Sequence, residues 1–398
     1  MVPELRSRFN ANFQPELYQR FLTRLDERCG THVGFRNCET PCFFPAELLE
    51  RMARAGAELV EQLTGNAEYL AAADEQIPAE FRVPNVDAQP LFVQADFGLV
   101  KGADGAYEPK LVEIQGFPSL YAYQVELAKT YGEVYGIEQP YLLGGLDEAA
   151  YFELFRDAVR GCYAPEHAVL LEIDPYAQKT LADFLLTQRA CGVPIVNIRD
   201  VRKHGIRLYY EAEGREIPIY RIYNRAIADE LIRKQVKLDF DFRDDLDVEW
   251  AGHPNWFYRI SKFSLPYLKH ASVPRSQFLS DVKELPAAPE ELVLKPLFSF
   301  AGLGVVVGPT REQIEGIPES LRSSYLLQER VRFEPVIETP FGATNAEIRI
   351  MYIRSGGLKP VTTIIRMGRG KMMGVDHNKD LEWVGASAGF TAAGFTSP

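Results

Sequence analysis

The chain has 398 residues, 46% of them hydrophobic and 25% charged, which is enough to bury a sizeable core. Lys and Arg number 44 against 55 Asp and Glu, a formal net charge of −11; this excludes a broadly cationic nucleic-acid surface but allows a local basic pocket for a phosphorylated ligand. The opening Met1-Val2-Pro3-Glu4 lacks the charged-then-apolar run of a signal peptide, and no apolar stretch reaches the roughly 20 residues that span a bilayer, so a cytoplasmic protein with no membrane partner is expected.

Residues 1–90 are expected to form an N-terminal helical region. Within it, Pro45–Leu63 carries apolar residues at three- and four-residue spacing, the pattern of an amphipathic helix. Pro78, Pro84 and Pro90 then punctuate an irregular connection. Leu91–Val100 and Lys110–Gln115 read as strands, and Gly102-Ala103-Asp104-Gly105 between them supplies turn chemistry for a hairpin. A helix-rich stretch follows over 121–162. Ala168–Ile173, Gln178–Ala190 and Val193–Ile198 read as strand, helix and strand, a parallel pair in a Rossmann-like layer. No Gly-x-Gly-x-x-Gly follows the first strand, so that layer carries no dinucleotide signature. Arg207–Glu211 and Ile217–Tyr223 add strands.

After residue 251 the pattern changes. Tyr258–His270 reads as helical. Leu292–Pro296, Gly304–Val307, Tyr325–Glu329, Ala346–Ile353 and Pro360–Arg366 read as strands of an antiparallel sheet. The domains expected are therefore 1–90, a hairpin-and-helix unit at 91–165, a Rossmann-like unit at 166–250 and a nucleotide-binding unit at 251–398. Five cysteines (Cys29, Cys38, Cys42, Cys162 and Cys191) are scattered with no Cys-x-x-Cys pair, and they read as buried or incidental thiols.

Chemistry gathers around Val293-Leu294-Lys295-Pro296 and the small-residue loop from Ser299 through Ala301 and Gly302 to Gly304. A strand lysine pointing into a cleft offers a point charge to phosphate oxygens, and small residues let backbone N–H groups approach phosphates closely. Taken alone, the segment fits a surface lysine before a hairpin turn equally well, and it is not a Walker loop. Tyr325–Val331 is an apolar strand running into Gln328-Glu329. Such a segment can offer backbone groups to an adenine edge and a carboxylate to ribose hydroxyls, or can simply be a strand end. Glu347 and Arg349 lie at i and i+2, on one face of a strand. Arg366 ends the next strand, and Arg349 and Arg366 suit a transferring phosphoryl group. Each is also compatible with a surface salt bridge.

Lys262 in Ile260-Ser261-Lys262-Phe263, Lys295, the small-residue loop, Gln328-Glu329 and Glu347-x-Arg349 together resemble the ATP-grasp superfamily. The resemblance implies two lysines on ATP phosphates, a loop closing over them, and adenine held between subdomains. The metal strands lie upstream. Gln94-Ala95-Asp96-Phe97 and Glu113-Ile114-Gln115 put Asp96, Glu113 and Gln115 on one face of the hairpin, a hard-oxygen set suited to Mg²⁺. With Pro118-Ser119-Leu120 after them, these strands resemble the circularly permuted, glutathionylspermidine synthase-type branch, over roughly 91–398. Two positions depart from it. Gln115 stands where the family carries Asn, and Gln94 where it often carries an Arg that helps bind phosphate.

The resemblance implies an α/β fold of ATP-grasp type, circularly permuted, with a Rossmann-like layer and an unmatched N-terminal helical region. It implies an ATP- and Mg-dependent ligase joining a small-molecule or peptide carboxylate to an amine (or thiol) through an acyl phosphate, with ATP and Mg²⁺ as cofactors. Arg349 and Arg366 are then catalytic; Lys262, Lys295, Ser299, Ala301, Gly302, Gly304, Gln328, Glu329 and Glu347 bind nucleotide; Asp96, Glu113 and Gln115 bind metal. An ATP-binding protein without ligase activity and a small-molecule phosphotransferase are the alternatives. Asp376-His377-Asn378 is read as a turn or substrate-facing loop, with a metal site there as the other possibility.

Overall fold

A computed structural model describes residues 1–298, 303–370, 373–374, 378 and 380–392. The chain starts with helices α1 (Pro3–Asn12) and α2 (Pro15–Cys29), a short strand β1 (Cys42–Pro45), and helices α3 (Ala46–Thr64) and α4 (Ala67–Glu75). The expected amphipathic helix is thus present as α3, with Leu48, Leu49, Met52, Leu59, Val60 and Leu63 buried on one face. Gly56 lets that face close on the sheet, because a Cβ there would lie 2.1 Å from the Tyr352 hydroxyl oxygen.

The hairpin follows as β2 (Phe92–Lys101) and β3 (Tyr107–Gln115), then helices α5 (Tyr121–Tyr135) and α6 (Glu148–Arg160). Next come β4 (Ala168–Glu172), α7 (Leu181–Cys191) and β5 (Ile195–Asn197), and β4 and β5 pair in parallel as the strand-helix-strand pattern requires. Strands β6 (Arg202–His204), β7 (Arg207–Ala212) and β8 (Arg215–Ile219) form a small antiparallel sheet of their own. The expected strand Ile217–Tyr223 is divided at Tyr220. Its second half is β9 (Arg221–Asn224), which joins β4 and β10 (Glu249–Ala251) in the parallel sheet of order β10-β9-β4-β5.

Between them, α8 (Ala228–Arg233) packs its Leu231 inward. The expected helix over Tyr258–His270 is instead a short turn of helix α9 (Trp256–Arg259) followed by a 3-10 segment, Lys262–Tyr267, which contains Pro266. A proline inside the segment removes a backbone donor and prevents a continuous α-helix.

The remaining strands are β11 (Ser276–Phe278), β12 (Leu292–Pro296), β13 (Val306–Val307), β14 (Tyr325–Glu329), β15 (Asn345–Arg354), β16 (Leu358–Gly368), β17 (Gly385–Ser387) and β18 (Gly389–Ala392), with α10 (Arg311–Glu315) after β13. They do not make the one antiparallel sheet expected. One sheet has the order β11-β14-β12-β13, and another the order β17-β16-β15-β2-β3. The upstream hairpin therefore completes the sheet of the distant C-terminal strands, with Asp96 opposite Arg349. The first 90 residues are woven in as well: β1 pairs in parallel with β18, and α2 packs on α5. No helix among the described residues is long and apolar enough to cross a membrane.

Candidate active site

A cleft of about 650 Å³ opens between the two large antiparallel sheets, lined by Val112, Glu113 and Gln115 of β3, Val293 and Lys295 of β12, Gln328 of β14, and Glu347, Arg349 and Arg366 of β15 and β16. Lys262 reaches the same space from the 3-10 segment. Lys179, Arg330 and Arg332 line it too. Among the described residues seven cationic side chains thus face two acidic ones, Glu113 and Glu347, in a chain whose net charge is −11. Low-dielectric walls lined by one sign of charge concentrate counter-ions of the other.

Lys295 alternates inward on β12 and is 5% exposed. Its ammonium donates to the Val112 carbonyl oxygen at 2.8 Å, across the cleft. Burial pushes its pKa down to about 8, against the pull of Glu113 and with the repulsion of Lys262. Lys262 is 3.9 Å from Glu113. Gln328 is 2% exposed, and its amide nitrogen has no hydrogen-bond partner among the described residues. A buried donor left open in a cleft wall is an unmet demand for an acceptor.

Arg349 donates to both oxygens of Asp96, at 2.5 and 2.6 Å, and to the side-chain oxygen of Gln94 at 2.8 Å. Arg366 bridges Asp96 and Glu347. Burial resists ionisation of Asp96, but Arg349 and Arg366 outweigh it and hold its carboxyl below the ordinary range. Burial pushes Glu347 up to about 7; Arg366 counteracts this, and the nearby Asp96 and Glu113 reinforce it. Burial lowers and Glu347 raises the Arg366 pKa, and the balance leaves it above its ordinary value.

The structure thus brings together Lys262, Lys295, Gln328, Glu347, Arg349 and Arg366 from the expected set. Gln328 and Glu329 alternate across β14, and Glu329 is exposed and outside the cleft lining, so the expected ribose contact through Glu329 has no support in the geometry. Gly304 does not line the cleft. It takes the left-handed turn with φ 73°, where a Cβ would lie 2.9 Å from the Pro296 ring. Ser299, Ala301, Gly302, Asp376 and His377 lie outside the described residues.

Of the expected metal set, Glu113 and Gln115 line the cleft and Asp96 does not. Asp96 is 1% exposed and lies behind Arg349 and Arg366 rather than on the cleft wall. Gln115 turns its amide nitrogen onto a Glu113 oxygen. Among the described residues no group of three His, Cys, Asp or Glu side chains is placed to hold a metal ion. The hairpin carboxylates and amide do not fit Mg²⁺ as they are arranged. Gln94 is likewise turned from the cleft, donating to the Ser119 carbonyl at 2.8 Å while accepting from Arg349.

Sequence reasoning did not single out Lys179, Arg330 or Arg332. The last two follow Gln328 at two-residue spacing, and this period was the available signal. Lys179 comes from the turn before α7, with no local pattern to mark it.

No protein-family model matches the chain, and no curated protein matches it. Among solved structures, it is similar to a glutathione synthetase-like effector from Globodera pallida in its apo form. The TM-score is 0.56 at 11% sequence identity, over 95% of this chain and 99% of that one. The two chains share a mixed α/β fold along nearly their whole length.

Proposed function

We propose that the protein is an ATP-dependent ligase of ATP-grasp type that joins a carboxylate to an amine through an acyl phosphate. The observation that carries this reading is the cleft itself: among the described residues seven cations face two acids, with Lys295 from one sheet, Arg349 and Arg366 from the other and Lys262 from the 3-10 segment converging on it. ATP brings the complementary polyanion. Lys262 and Lys295 hold its phosphates, and Gln328 offers its open amide to the base.

The substrate carboxylate then attacks the γ-phosphorus and ADP leaves. The amine attacks the acyl carbon, phosphate leaves, and the amine loses a proton. Arg349 and Arg366 stabilise the charge on the transferring group, so the protein supplies position and charge rather than a nucleophile. The upstream hairpin completing the C-terminal sheet supports the circularly permuted arrangement, and the likeness to a glutathione synthetase-like protein supports the ligase class.

The test is a screen of amino acids, peptides and polyamines for ATP-dependent phosphate release, with mass spectrometry of the products. Phosphate release that requires both a carboxylate and an amine and yields an amide supports the proposal. A phosphorylated product with no amide, whatever amine is added, contradicts it. Asp96, buried beneath two guanidinium groups, favours a second reading in which the chain binds nucleotide without ligation. ATP binding with no turnover across the screen supports that reading.

A further inference from the structure

Asp96 has no open face. Three N–H groups of Arg349 and Arg366 take up its two oxygens, and the side chain is 1% exposed. Gln94 holds Arg349 from the other side and is tied in turn to the Ser119 carbonyl. Glu347 holds Arg366 from the cleft side. Bidentate guanidinium–carboxylate pairs fix orientation as well as charge, so the two arginines are held in fixed orientation at the cleft wall.

A divalent cation at a polyphosphate site neutralises the phosphate oxygens and fixes their geometry. Lys262, Lys295 and the oriented Arg349 and Arg366 line the cleft and offer donors for both tasks. Seating a cation on Asp96 would also require breaking at least one buried pair and placing a metal beside two guanidinium charges.

Resting on the nucleotide-cleft reading above, we infer that nucleotide binding by this protein is metal-independent: Arg349 and Arg366, braced by Asp96, Gln94 and Glu347, take the place of the divalent cation. Asp96 is then a positioning residue that acts through the arginines and does not touch the ligand.

The test is calorimetric titration of ATP into the full chain in excess EDTA and, separately, in excess MgCl₂. The inference predicts dissociation constants that agree within about threefold. A dissociation constant ten or more times weaker in EDTA overturns it while leaving the nucleotide cleft intact. Absence of ATP binding under both conditions overturns the nucleotide reading and this inference with it. The comparison uses the wild-type chain, so no variant has to fold.

Asp96→Asn supplies the second readout. A positioning role predicts that it shifts ATP affinity by the same factor with and without Mg²⁺. A shift seen only in Mg²⁺ identifies Asp96 as a metal ligand and overturns the inference.

Discussion

The Lys295 ammonium donates to the Val112 carbonyl oxygen at 2.8 Å, so the lysine strand of one sheet is hydrogen-bonded to the hairpin of the other across the floor of the cleft. A single neutral acceptor is a thin partner for a buried charge, and burial holds this lysine at about 8. Its folded-state pKa lies below the ordinary value of 10.5. The charged form therefore costs stability, and stability linked to this group rises as pH climbs from about 8 towards 10.5. Nucleotide affinity should move the opposite way. In calorimetry at pH 7 and pH 9.5, ATP should bind more weakly at the higher pH, and Lys295→Met should remove most of that difference. A pH-independent affinity in the wild type contradicts the assignment.

Arg349 and Asp96 are 8% and 1% exposed and share two hydrogen bonds. Removing one partner of a buried ion pair costs about 3–5 kcal/mol where the other charge is left uncompensated. Arg366 still pairs with Asp96 in the variant, so Arg349→Met should lower unfolding stability in urea by less than that. Asp96→Asn added to Arg349→Met should recover part of the loss. Additive losses in the double variant would show that the two side chains are not coupled.

Glu172 ends β4 with 5% exposure, accepts from the Ile173 N–H at 2.7 Å, and is pushed by burial up to about 8 despite the nearby Arg225. Its folded-state value lies above the ordinary 4.5, so stability linked to it is fully present below 4.5 and is lost as pH rises through about 8. Glu172→Gln removes the titration. Thermal unfolding should show the variant gaining on wild type between pH 5 and pH 8.5. A constant difference across that range would show that Glu172 is not buried as described.

Gly116 donates its N–H to the Ile260 carbonyl at 2.9 Å, and a Cβ at Gly116 would lie 2.5 Å from the Trp256 carbonyl oxygen. The obstacle is backbone, which cannot swing aside. Gly116→Ala should cost about 1–3 kcal/mol in chemical unfolding, the range for overpacking. It should also weaken ATP binding, because the contact sets the spacing between β3 and the segment carrying Lys262. Unchanged stability and affinity would show that the spacing is not constrained there.

Individual elements were legible in the sequence where the pattern was long and clear. The helix at α3, the hairpin, β14 and the β4–α7–β5 unit all follow from apolar spacing and turn residues. Pairing between distant strands was not legible. Asp96 does stand opposite Glu113 on the hairpin, as the alternation implies, but on its other side it stands opposite Arg349, 253 residues away. That non-local pairing gives Asp96 its two arginine partners. Gln328 faces the cleft, so Glu329, its neighbour on the strand, faces out. Lys179 enters the cleft through tertiary packing alone.

Calorimetric titration of ATP into wild-type and Lys295→Ala protein tests the proposed nucleotide phosphate site around Lys295. Saturable one-to-one binding to the wild type and at least tenfold weaker binding to the variant are expected, with cooperative thermal unfolding retained in both. Equal affinity in the two proteins, or no binding to the wild type, would contradict the proposed site.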